Sequence, residues 1–377
     1  MKRLLLLISI VLGLPPGTVS AEIGVSLRVA SRPAAHCQSP RWSPDGKKLA
    51  IDIFTPKKDA RETWIIELDP FGRSVGEVEV SSSRGRASGL LGGKKAPVVE
   101  LTWAPSMKLL NRPYVFSSRS PRKNFDLFAD GTWLTKNLGN DGQPHWSSDG
   151  RFIAYASQQS ESGDIYLLDL QRDVYEPKQV TLWPNATEFR PRWSPQKNYI
   201  VFTRSQEGQK GQDIGVVADP LRPQDSTRMV TNWVGDEIRP SWSPDGTRLA
   251  FYSNKNHPQN RKLFDLWVIG INGKGAVKLA TDVVVDDYHG PAWTPDGTVV
   301  LFVKRDFEKN NPVHWSRADG SKSGMLNTRT QMNSDLAVAG DGGKIKLAFR
   351  ALGLTGSTDK TWQRVYVTSF TMADLDK

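Results

Sequence analysis

Pro240-Ser241-Trp242-Ser243-Pro244-Asp245-Gly246, followed at once by the strand-like run Thr247–Ser253, is the stretch that decides the fold. The phrase returns at Pro40–Gly46, Pro144–Gly150, Pro191–Lys197 and Pro291–Gly297, and in worn form from Leu101 to Met107. Its tryptophans, Trp42, Trp103, Trp146, Trp193, Trp242 and Trp293, are 61, 43, 47, 49 and 51 residues apart. That spacing suits four-stranded propeller blades with loops of varying length. A seventh, degenerate unit follows: Val338 takes the tryptophan place, 45 residues after Trp293, and Asp341-Gly342-Gly343 precedes Lys344–Arg350.

Within a unit the strands are readable. In the third, Pro144–Ser147 reads as the innermost strand and Asp149-Gly150 as a tight turn. Arg151–Ser157, Asp164–Leu170 and Lys178–Leu182 follow as the second, third and outer strands. A lone sheet cannot cover both of its faces, so each unit needs its neighbours. The repeat tryptophans are therefore expected as wedges between blades. The repeat aspartates are expected to cap their own turns rather than to form a ring of catalytic carboxylates. The last unit is short of an outer strand. The alternating segment Ile23–Val29 is expected to supply it, joining the two ends of the ring and hiding an edge. Ser81–Lys95, rich in Ser, Gly, Arg and Lys, reads as a surface loop.

The prediction is an all-β chain: a single β-propeller of four-stranded blades over residues 22–377, seven blades favoured over six. Residues 1–21 read as a signal peptide, with Lys2 and Arg3 ahead of the apolar run Leu4–Leu14 and a cleavage site at Val19-Ser20-Ala21. The expected location is periplasm or external medium. The formal charge of +10 is spread along the chain, and no zinc finger or dense basic helix is present, which argues against nucleic acid. No later run is apolar enough for membrane insertion. The single cysteine, Cys37, excludes an intrachain disulfide and reads as a small buried hydrophobe. A monomer is expected.

The phrases Pro40–Gly46 and Pro240–Gly246, with third-strand phrases such as Asp164-Ile165-Tyr166 and Asp213-Ile214, resemble the repeats of the TolB-like β-propeller family. The resemblance covers most of Ser39–Phe370. It implies a propeller, and in the family's founding member an α/β domain precedes a six-bladed ring that binds envelope proteins. Here about 18 residues separate the expected cleavage site from the first phrase, which leaves no room for that domain. The family's serine peptidases imply a Gly-x-Ser-x-Gly elbow, which is absent. Similar seven-bladed propellers include polysaccharide lyases with histidine-bound metal.

Residues just before each phrase feed the innermost strand and so lie near the channel mouth. Glu188, Arg190, Glu237, Arg239, Asp287, Tyr288 and His289 are the candidate binding residues. They either converge on a sugar, carboxylate or peptide, or the Glu188–Arg190 and Glu237–Arg239 sets neutralise one another across neighbouring blades. His36, His145 and His289 each stand near the start of an inner strand, but alternation turns His145 away from the axis. No metal and no cofactor is assigned. The primary reading is an exported, noncatalytic binding propeller for an envelope protein, peptide or cell-surface glycan. The alternative is a carbohydrate-active enzyme, a polysaccharide lyase on acidic sugars, with His289 or Tyr288 as base and Arg190 and Arg239 as carboxylate clamps.

Overall fold

The computed structural model describes residues 19–376 apart from 23, 25, 31, 33, 59, 81–97, 107–112, 130, 161, 172–174, 210, 286–288, 307, 309 and 355–360. The loop expected at Ser81–Lys95 and the candidates Asp287 and Tyr288 thus lie outside the described residues.

Among the described residues, strands form mainly four-stranded antiparallel units that follow one another in sequence, the fourth and fifth joined into one eight-stranded sheet by a short parallel pairing with Gly211 opposite Gly235. Inner strands are His36–Trp42, Val98–Trp103, Asp141–Trp146, Ala186–Trp193, Gly235–Trp242, Ala292–Trp293 and Ser334–Asp341. We number the units one to seven by these. The outer strand of the seventh is Leu27–Ala30, which pairs antiparallel with Arg364–Phe370 (Leu27 opposite Val367). The expected closure by an N-terminal strand is therefore found, starting four residues later than the expected Ile23–Val29 and ending one residue beyond it. One feature was not foreseen: Val19–Glu22 adds a fifth, parallel strand to unit six beside Ser323–Asn327. This strand overlaps the expected cleavage site.

The turns explain the repeat phrase. Ser43 Oγ donates to Asp45 Oδ1 at 2.6 Å, and the Lys47 amide donates to the same oxygen at 3.1 Å. Asp245 makes the matching pair with Ser243 Oγ and the Thr247 amide, and Asp296 with Thr294 and Thr298. The following glycine takes a left-handed φ of 63–73° at Gly46, Gly150, Gly246 and Gly297, where a Cβ would be strained. Asp341 departs from the pattern and pairs with Lys346 at 2.8 Å.

Apolar side chains collect in layers between successive sheets. Between units seven and one, Leu49, Ile51 and Ile53 meet Val365 and Val367. Full burial of each such side chain contributes about 1.5–3 kcal/mol. The tryptophans add a directional clasp at the same junctions. Trp103 Nε1 donates to the Arg41 carbonyl at 2.9 Å, Trp242 to Arg192 at 2.9 Å and Trp293 to Ser241 at 3.2 Å. Trp42 reaches Ala337 of the seventh unit at 3.1 Å, so the last unit is clasped to the first.

The closing strand can be tested directly. Val29 is buried against Val365 and Val367. Val29→Asp is expected to cost about 3 kcal/mol, as an unpaired buried charge does. Arg28→Asp, on the exposed face of the same strand, is expected to change stability by less than about 0.5 kcal/mol. Denaturant midpoints of the two variants check this.

Candidate functional site

Every inner strand but the sixth carries one residue in the left-handed region three places before its tryptophan or equivalent. Ser39, Glu100, Gln143, Arg190, Arg239 and Asp335 have φ of 51–57°. At each, the pairing register with the second strand skips a residue, the mark of a β-bulge. In the sixth unit Gly290 holds the place, and a Cβ there would come 2.3 Å from the Arg239 carbonyl oxygen.

The bulges link the units around the channel. Glu100 Oε2 accepts the amide of Gln143 at 2.6 Å, and Gln143 Oε1 accepts the amide of Arg190 at 2.6 Å. Asp335 Oδ2 accepts the amide of Ser39 at 3.3 Å, across the point of closure. Each contact joins a side chain at one bulge to the backbone of the next.

The same geometry builds a basic cavity of about 360 Å³ in the channel. Arg41, Arg190, Arg192, Arg239, His145 and His289 line it, with Glu100 as the one carboxylate among the described residues. It opens toward a wider recess of about 730 Å³ whose rim includes Pro44, Pro195, Pro244 and Pro295 from the repeat turns. Arg41 is held by a bidentate pair with Asp52 at 2.7 and 2.9 Å. Burial pushes the His145 imidazole down to about 3, with Arg192 adding to the effect. Burial and then Arg41, Arg192 and Arg239 push His289 down to about 3 as well. Both rings are therefore neutral at physiological pH. His145 Nδ1 lies 3.1 Å from both the Trp193 amide and the Trp146 carbonyl oxygen.

Of the residues expected at the site, Arg190, Arg239 and His289 line this cavity. Glu188 and Glu237 do not line it. The bulge inserts one residue and reverses the alternation upstream, so side chains five places before the tryptophan turn into the junction between sheets. Neither glutamate makes an ion pair with an arginine; Glu237 Oε1 accepts Ser253 Oγ at 2.7 Å. His145 is also corrected: it faces the channel. His36 does not join the other two histidines. It lies against Trp362 with ring centroids 5.1 Å apart. Among the described residues, no group of three His, Cys, Asp or Glu is placed to hold a metal. Arg41, Arg192 and Glu100 were missed. The place directly before each tryptophan was the available signal for the two arginines. Cys37 is fully buried, and burial raises its thiol to about 11.

The junction carboxyls recur. Asp141, Glu188 and Glu237 stand near Asp126, Asp164 and Asp213, the third-strand acids of the preceding units. Burial, with the neighbouring carboxyl, raises Asp126 to about 6, Glu188 to about 8 and Glu237 to about 7.

A ring of such blades, with this turn and this tryptophan clasp, defines a class of β-propeller. The chain is similar to TolB-like β-propellers over part of its length. The Tol-Pal system protein TolB of Francisella tularensis subsp. holarctica is 23% identical over 209 residues, 55% of this chain. The chain spans about 45% of the length of that relative. No family model matches. Among solved structures, an oligogalacturonate lyase from Vibrio parahaemolyticus aligns with a TM-score of 0.59 at 10% identity, covering 94% of this chain and 100% of that one. A puromycin-hydrolyzing peptidase from Mycobacterium tuberculosis aligns at 0.61 and 13% identity, over 90% of this chain and 55% of its own. At these identities the likeness is one of fold. Among the described residues no helix is long and apolar enough to cross a membrane.

A pH dependence follows from the junction acids. The folded state keeps protons on Glu188 and Glu237 that the unfolded chain, with carboxyls near 4.3, has released. Their contribution to stability is therefore full below about pH 4 and is lost as pH rises through about 7 to 8. The melting temperature of the wild type is expected to fall across this range. Glu188→Gln and Glu237→Gln are expected to flatten the slope, read by calorimetry at a series of pH values.

Proposed function

We propose that this chain is an exported, noncatalytic binding propeller that receives an acidic group of an envelope protein, peptide or cell-surface glycan in its channel. The observation that carries this reading is the gathering of Arg41, Arg190, Arg192 and Arg239 around one cavity whose wall, among the described residues, has a single carboxylate. Guanidinium groups bind carboxylates through paired N–H donors, and a partly enclosed site strengthens those bonds. Arg190 and Arg239 are assigned as the principal contacts. Asp287 and Tyr288 keep their place in the proposal as neighbours of His289 in sequence. The envelope setting is supported by the apolar leader and by the curated relative, which is named as a Tol-Pal system protein.

A second reading has one observation in its favour. The lyase alternative is supported by a fold that matches an oligogalacturonate lyase over nearly the whole of both chains. In that reading the neutral His289 takes the C5 proton of a uronic acid while Arg190 and Arg239 hold its carboxylate.

Capture from an envelope extract tests the first reading. Arg190→Ala and Arg239→Ala are each expected to lower capture about tenfold or more, in keeping with loss of a charge-assisted bond. Undiminished capture by both would remove the channel from the interface. For the lyase reading, acidic oligosaccharides incubated at high protein concentration are expected to yield unsaturated products. Their absence would leave binding alone.

A further inference from the structure

A second cavity of about 390 Å³ shares Glu100 and Gln143 with the channel, but its charge is reversed. Glu100, Asp141 and Glu188 line it, and no lysine, arginine or histidine does. The contrast is local, because the chain as a whole carries +10. Asp141 and Glu188 are 0% and 1% exposed. One carboxyl oxygen of Asp141 and both of Glu188 make no hydrogen bond of ordinary geometry among the described residues, although the Ser157 and Thr181 hydroxyls stand near the two groups. A buried polar atom left so costs on the order of 1–3 kcal/mol, which a donor from outside would relieve.

The remaining walls suit a particular kind of donor. Phe125 and Phe189 contribute apolar wall, with the Arg119 and Arg190 guanidinium groups 5.7 and 5.8 Å from their ring centroids, and Ala156, Gly142 and Gly163 complete the lining beside them. A Cβ on Gly142 would come 3.0 Å from Glu100 Oε2, so the missing side chain there is what seats that carboxylate. A cationic head on an apolar stem satisfies both features at once. Leu138, 88% exposed, precedes Asn140 of the cavity wall by two residues. Leu182 and Val234, 79% and 85% exposed, stand on the corresponding loops leading to the next two units. This row of aliphatic side chains favours a polypeptide over an amino sugar.

We infer that this cavity is a docking site for a lysine or arginine side chain of a partner polypeptide, held by Glu100, Asp141 and Glu188. The inference rests on the binding reading above but uses a different cavity. Burial, and after it the Asp164 carboxyl, keeps Glu188 protonated to about pH 8, with Thr181 and its cross-strand partner Arg204 as the other groups facing it. An entering cation displaces that proton, so affinity rises as the pH approaches 8.

Calorimetric titration of the full chain with acetyl-Leu-Lys-Leu-amide, and with the same peptide carrying norleucine, tests the site. The lysine peptide is expected to bind about tenfold more tightly at about pH 8, with the gap narrowing at about pH 6. Glu100→Gln and Glu188→Gln are each expected to close most of that gap. Near-ultraviolet circular dichroism shows whether Glu188→Gln still folds, and Glu100→Gln carries the test if it does not. Equal affinity for the two peptides would overturn the inference. So would binding of glucosamine with no binding of the lysine peptide, or loss of peptide binding in Arg190→Ala but not in Glu100→Gln. If envelope capture survives both arginine substitutions while lysine binding still needs Glu100, the channel reading fails and this one stands.

Discussion

The hydrogen bond from one bulge to the next sets the geometry of everything near the channel. A side chain on a left-handed residue reaches the backbone of the following unit, as Glu100 does to Gln143 and Gln143 does to Arg190. Left-handed backbone is costly for residues other than glycine, on the order of 1 kcal/mol each. Repetition of the same cost at six places means the surrounding structure holds it there. One consequence is local bending that brings inner strands close at the axis. The other is a change of parity, which decides which side chains reach the channel and which are buried between sheets.

That change of parity accounts for the division of charge. Arginines one and three places before a tryptophan, Arg41, Arg190, Arg192 and Arg239, meet in one cavity. Acids five places before it, Asp141, Glu188 and Glu237, go into the junctions, where burial raises the pKa of each. The two sets are neighbours in sequence yet occupy environments of opposite sign. A ring of this kind separates charge without any long-range rearrangement of the chain.

Much of the fold was legible because its causes are local. The Trp-Ser-Pro-Asp-Gly phrase encodes a turn that closes on itself through Ser43 and Asp45 or Ser243 and Asp245. The tryptophan clasp and the closing strand followed from the need to cover sheet faces and edges. The site was legible only in part. Arg190, Arg239 and His289 were found from their place before the phrase. Glu188 and Glu237 were misplaced because strict alternation was carried through a bulge that no residue type announces: Ser, Glu, Gln, Arg and Asp all occupy it. Glu100 was missed for a further reason, since its copy of the phrase lacks the first proline. The strand Val19–Glu22 was hidden by its overlap with a run that reads as a leader.

The pairing of Leu27 with Val367 joins positions 340 residues apart. Contacts so distant along a chain form slowly. During synthesis the early segment must wait, unpaired, until almost the last strand has left the ribosome. A chain with that dependence stays an incomplete arc for most of its production.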